Sequence, residues 1–131
     1  MTRILVCGSR DWSDRDLIET ILDGMLERKP LGEPLVIIEG GATGADAIAG
    51  DWAEWWQKGA AVEHERHPAP WSEHGRAAGP IRNQMMLDQR HPDVVWAFVT
   101  KELEQSRGTA DMVRRARQAG VPTYVVRGFR P

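Results

Sequence analysis

Three short runs, RILVC at 3–7, LVII at 35–38 and VVWAFV at 94–99, are apolar at almost every position and not at every second one. A strand with one face in water alternates. A strand that is apolar on both faces must be covered on both faces. The stretches between these runs change to helical spacing. Ser13 or Asp14 can cap a helix carrying Leu17, Ile18, Ile21, Leu22, Met25 and Leu26, which Lys29-Pro30 and Gly32 end. After Gly44 a second helix sets Ala45, Ile48, Ala49, Trp52 and Trp56 on one face and stops at Gly59. Residues 61–67, AVEHERH, alternate weakly, as an edge strand does. The Pro- and Gly-rich loop PAPWSEHGRAAG leads to Pro80, a residue suited to a first helical turn, with Ile81, Met85 and Met86 predicted inward. A polar loop, KELEQSRG, precedes a helix over 109–119 with Met112, Val113 and Ala116 inward, and YVV at 124–126 is the last strand.

The order is therefore β-α-β-α-β-α-β-α-β. Strict alternation with fully apolar strands and right-handed crossovers predicts an α/β fold. We expect one Rossmann-like domain over residues 1–131, a parallel five-stranded sheet with helices on both faces.

The chain has 131 residues, 41% of them hydrophobic, and a formal net charge of −2. That balance disfavours a dedicated duplex-DNA binder, which carries a basic excess. No run approaches the roughly 20 apolar residues of a membrane span. The first apolar run is too short for a signal peptide, so a soluble cytoplasmic protein is expected. The lone cysteine, Cys7, lies in an apolar strand and reads as a buried, unreactive thiol. His64 and His67 stand three apart on one strand and face opposite ways. No metal site and no cofactor is expected, and neither Ser9 nor Ser106 has the setting of a triad nucleophile.

In a sheet of this type, ligands bind beyond the carboxyl ends of the strands. Four segments lead there. They are Gly8-Ser9-Arg10, then Gly40-Gly41-Ala42-Thr43-Gly44, then Gly79-Pro80-Ile81-Arg82-Asn83, and Ser106-Arg107-Gly108-Thr109. A helix start offers unpaired N–H groups and partial positive charge, which favour phosphate. Glycine lets the backbone approach closely. Thr43 and Thr109 add hydroxyls; Arg10 and Arg82 add charge in a fork. Thr109 also suits a plain N-cap. GGATGAD matches neither the dinucleotide fingerprint nor the P-loop, since no lysine follows. The convergence of all four segments at one sheet edge points to a phosphate-bearing ligand. Trp12 and Trp71 lie in loops beside this edge, where either can stack on a base, Trp71 from the longer loop. Trp55 is about 100° from Trp56 on its helix, so one of the two is left outside, which suggests a homodimer contact.

The segments GSRDW, GGATGADAIAGDWA, PAPWSEHGRAAGPIRNQMM, VVWAFV and GTADMVRRARQAGVP, taken in order, resemble the YspA/YpsA-like branch of the SLOG superfamily. The resemblance covers nearly the whole chain. It implies a pocket for a nucleotide or nucleotide-derived ligand. It points to Gly8, Ser9, Arg10, Gly40, Gly41, Thr43, Gly44, Ala45, Asp46, Arg82, Asn83, Gly108 and Thr109. LOG-type members, which cleave the N-glycosidic bond of nucleoside monophosphates, look for a glutamate three residues after the threonine of the GT pair. Here that position is Met112, and Asp111 is one residue off, about 100° around the helix.

Binding or sensing of a nucleotide is therefore the first functional expectation. The alternative is an N-glycosidase or phosphoribohydrolase using Asp46 or Asp111. Asp46 can bind ribose hydroxyls, help a catalytic water or complement the helix dipole. Single-stranded nucleic-acid binding is a second alternative. It would use Arg114, Arg115, Arg117, Arg127 and Arg130 with Phe129, although arginines near a helix C-terminus also serve the dipole.

Overall fold

A computed structural model describes residues 2–59 and 61–128. Five strands form one parallel sheet, β1 (Thr2–Gly8), β2 (Leu35–Glu39), β3 (Val62–Arg66), β4 (Val94–Val99) and β5 (Thr123–Arg127). Their spatial order is β3-β2-β1-β4-β5, so β3 and β5 are the edges and the order reverses between β1 and β4. That reversal opens a crevice at the carboxyl ends of β1 and β4, the topological switch point of a doubly wound sheet.

The main helices are α1 (Arg15–Arg28), α2 (Ala45–Gln57), α4 (Ala78–Arg90) and α5 (Arg107–Gln118), with a single turn α3 (Trp71–His74) before α4. On one sheet face, Ile18 and Leu22 of α1 and Ile48, Ala49 and Trp52 of α2 cover Ile4, Val6, Ile37 and Phe98. On the other, Met86 and Leu87 of α4 and Met112 and Ala116 of α5 cover Leu5, Val36, Ile38 and Val95. The central runs are apolar throughout because each strand feeds both layers. Asp14 is the cap of α1, its carboxylate accepting the Leu17 amide at 3.1 Å. No helix among the described residues is long and apolar enough to cross a membrane.

Several elements differ from expectation. The loop after β3 contains α3 and a 3₁₀ turn over Gly75–Ala77. It runs straight into α4, which begins two residues before Pro80. Proline is tolerated there because first-turn amides have no intrahelical partner. Ile81 is exposed, since Asn83, Met86 and Leu87 take the inner face. The helix α5 begins at Arg107 with Ser106 as its N-cap residue, so Thr109 is a first-turn residue and not the cap. Trp56 is 39% exposed and Trp55 69%, so both leave the core that Trp52 enters. Trp12 is buried edge-on against Phe98 and donates its indole N–H to the Asp14 carbonyl at 2.8 Å. It cannot stack on a ligand from there.

Candidate functional site

A cleft of about 420 Å³ lies at the switch point. Its floor is Val6, Cys7 and Gly8 of β1 with Met86 of α4. One wall is the start of α5, Gln105 to Thr109, and the other is Gly40, Ala42 and Asp46. Trp71, Gly79, Arg82 and Asn83 close a third side. A shallower lobe of about 390 Å³ adjoins it, sharing Arg10, Gly40, Ala42, Trp71 and Arg82 and adding Gly41, Thr43 and Pro68.

The turn after β1 is built around close backbone approach. A side chain at Gly8 would strike the Phe98 carbonyl and approach the Ala45 methyl to 2.7 Å. Gly44 has φ 74° and lies against the backbone of Ser9 and Arg10, so only glycine fits. Ala45 is fully buried in this contact. Ser9 is buried too; its hydroxyl accepts the Thr100 amide at 3.1 Å and its carbonyl accepts the Trp12 and Ala45 amides. Thr43 donates its hydroxyl to the Arg10 carbonyl at 3.3 Å. Gly8, Ser9, Thr43, Gly44 and Ala45 thus join the first two loops together, while the exposed Arg10 side chain lies along the cleft.

The glycine turn at 40–42 already holds two anions of the protein itself. Asp46 Oδ2 accepts the Gly40 amide at 3.0 Å and the Ala42 amide at 3.3 Å. Glu39 Oε1 accepts the Gly41 amide at 2.5 Å. Glu39 is fully buried, and its Oε2 meets Arg66 Nε and His64 Nε2, each at 2.7 Å. Glu39 is nearly silent in the sequence. Its only signal is an acid closing an apolar strand just before the glycine pair.

Asp46 is 5% exposed. Burial pushes its carboxyl up to about 6, and neighbouring Glu39 adds to the rise against the opposing amides and Arg82. Its Oδ1 has no hydrogen bond among the described residues. Cys7 is partly exposed on the cleft floor and not buried as expected, yet desolvation pushes its thiol far above its ordinary value.

The adjacent residues Arg82 and Asn83 hold the two walls apart at a fixed distance. Arg82 Nη1 donates to the Gly40 carbonyl at 2.7 Å and to the His67 carbonyl at 3.2 Å, and Nε donates to Asn83 Oδ1 at 3.0 Å. Its Nη2 makes no hydrogen bond among the described residues. Burial lowers the guanidinium below its ordinary value, and the nearby Asp46 offsets part of that. Asn83 Nδ2 donates to the Gly108 carbonyl at 3.2 Å and to Asp111 Oδ2 at 2.9 Å.

Both Asp111 oxygens are engaged, Oδ2 also by Arg115 and Oδ1 by Arg114. Burial opposes ionisation there, but the hydrogen bonds from Arg115 and Asn83 outweigh it and hold the carboxyl below its usual range.

At the start of α5, the amides of Arg107, Gly108 and Thr109 lie in the first turn, and no side chain caps them. Ser106 and Thr109 instead share a hydroxyl hydrogen bond of 3.0 Å. Trp71 is half exposed at the cleft mouth, its ring over Gly79. Ser106 and Arg107, in the fourth segment expected at this edge, line the cleft, and so does Gln105, which the sequence offers only as part of a polar connection. Among the described residues no group of three or more His, Cys, Asp and Glu is placed to hold a metal. Of the late arginines, Arg114 and Arg115 pair with Asp111 and Arg127 with Glu102. Phe129 and Arg130 lie outside the described residues.

Residues 2–74, more than half of the chain and including the Gly8 and Gly40–Asp46 turns, match the family model described as YspA, cpYpsA-related SLOG. The chain belongs to this SLOG family. It is also 44% identical to the Gene 61 protein of Mycobacterium phage D29 over 124 residues, 93% of this chain and 94% of that protein. No solved structure matches it. Within this SLOG chain, the Arg-Asn pair of α4 and the glycine turn after β2 form one hydrogen-bonded unit, although 42 residues separate Arg82 from Gly40.

Proposed function

We propose that this SLOG protein binds a nucleotide or nucleotide-derived ligand in the switch-point cleft, with the phosphate on the first turn of α5. The observation that carries this reading is the contrast between the two helix-start loops. The amides of Gly40, Gly41 and Ala42 are taken by Asp46 and Glu39. Those of Arg107, Gly108 and Thr109 have no side-chain cap, belong to residues that line the same cleft and lie at the positive end of the α5 dipole. Arg10 and the open nitrogen of Arg82 supply full positive charge across the cleft, and Trp71 offers a ring for a base.

A hydrolytic reading of the same cleft falls to Asp46, because Asp111 spends both oxygens on Asn83, Arg114 and Arg115. A carboxyl near 6 is suited to taking a proton at neutral pH.

Thermal melting against a panel of nucleoside monophosphates, ADP-ribose, NAD and short single-stranded DNA tests the proposal. A ligand at 100 times its dissociation constant stabilises by about 2.7 kcal/mol, a shift of several degrees at this size. A shift with one nucleotide class supports the reading, and chromatography of the same mixture for a released base separates binding from cleavage. A cooperative melt that no nucleotide moves contradicts it.

A further inference from the structure

Asp46 is a buried carboxylate with one oxygen committed and one open. Its Oδ2 is fixed by the Gly40 and Ala42 amides, while Oδ1 faces the cleft without a hydrogen bond among the described residues. The residue as a whole is 5% exposed, and Oδ1 is not among the fully sealed side-chain atoms that lack a partner, so it is the oxygen open to the cleft. A ligand hydroxyl that donates there replaces water with a hydrogen bond to an ionised oxygen, the stronger kind. An ionised carboxylate only accepts. It also repels phosphate. The cleft is therefore polarised. Its α5 wall, with Arg10 and Arg82, suits an anion; its Asp46 wall suits an uncharged donor. Arg82 already provides the local positive charge, which leaves no electrostatic call for a ligand ammonium.

We propose that Asp46 Oδ1 accepts hydrogen bonds from the ribose hydroxyls of the bound ligand, so that the cleft selects ribonucleotides over deoxyribonucleotides. This inference rests on the nucleotide reading of the same cleft. It adds a direction: phosphate toward Arg107–Thr109, and the sugar's hydroxyl edge toward the glycine turn.

The test is calorimetric titration with each nucleoside 5′-monophosphate in three sugar forms: ribose, 2′-deoxyribose and 2′,3′-dideoxyribose. Sites built to bond a hydroxyl reject the analogue lacking it. The ribo form is expected to bind at least about tenfold more tightly than the dideoxy form. Asp46→Asn keeps an oxygen for the Gly40 and Ala42 amides and turns an amide N–H₂ to the cleft. That group can still donate weakly to a hydroxyl oxygen but no longer accepts as an ion, so the variant is expected to narrow the gap between the ribo and dideoxy forms. Equal affinity for all three forms in the unaltered protein would overturn the inference and leave nucleotide binding standing. A ribo preference undiminished in Asp46→Asn would assign the hydroxyls to another residue and also overturn it. Binding of no form would overturn this inference and the function it rests on. The sugar series on the unaltered protein decides the matter even if the variant folds poorly. Exocyclic amines as the alternative donor would appear as a preference among bases with no preference among sugars.

Discussion

Asp46 is almost fully buried, and the cost of keeping it so has a measurable consequence. Its carboxyl titrates near 3.8 in an unfolded chain and about 6 in the fold. Between those values the folded protein holds the proton more tightly, so stability falls as pH rises through the window. The groups facing it are the Cys7 thiol, Glu39 and the Arg82 guanidinium. Asp46→Asn removes this titration. In denaturant melts its stability should exceed that of the unaltered protein by about 1–3 kcal/mol at about pH 7.5, and the gain should vanish at about pH 4. A gain independent of pH would contradict the assignment. Glu65 acts in the opposite sense. The Arg90 hydrogen bond leads those that hold it at about 2 against a usual 4.5, so its contribution is present above 4.5 and lost as pH falls toward 2.

Arg82 gives a second residue-scale prediction. Lysine keeps the charge but not the fork that reaches Gly40 and His67. Arg82→Lys should therefore weaken nucleotide binding by roughly tenfold or more in a titration, the loss expected for a charged hydrogen bond of about 1.5–3 kcal/mol. Unchanged affinity would remove Arg82 from the site. Arg82, Asn83 and the glycines were legible in the sequence as residue types suited to an anion. Their partners were not, because a periodic pattern carries no information on which carbonyl 42 residues away a guanidinium will meet. The same blindness hid Glu39, whose burial is tolerated only because β3 brings Arg66 and His64 beside it.

At the scale of elements, the first two loops are bonded to one another. Gly44→Ala would force a methyl into the backbone of Ser9 and Arg10 at positive φ. It should cost at least about 2 kcal/mol in chemical denaturation. A neutral substitution would mean the two loops are not packed as described. Asn83→Ala would leave the Gly108 carbonyl and one bond of Asp111 unmade, costing about 1–3 kcal/mol and loosening the start of α5. Hydrogen exchange at residues 107–111 should accelerate in that variant before the rest of α5 does.

The strands and the alternation were readable because a strand buried on both faces must be continuously apolar. The helix starts were displaced for a local reason. Gly108 and Pro80 read as boundaries, yet both fit inside a first turn, where the amide has no intrahelical partner to lose.

At the scale of the molecule, the strand order converts four separate loops into one site. With β1 and β4 adjacent at the reversal, the α5 start is set against the β1 turn, and the crossover through α3 and α4 brings Arg82 across to Gly40. The parallel sheet and its two helical layers followed from the sequence pattern. The distribution of free and occupied amides did not, since it depends on where Asp46 and Glu39 point. The most direct measurement is amide chemical-shift mapping by NMR during titration with a ribonucleoside 5′-monophosphate. The largest saturable shifts should fall on Arg107, Gly108 and Thr109, with smaller ones at the turn around Gly40. Shifts led by Gly40 to Gly44 with residues 107–109 unmoved, or no saturable shift at either loop, would contradict the account.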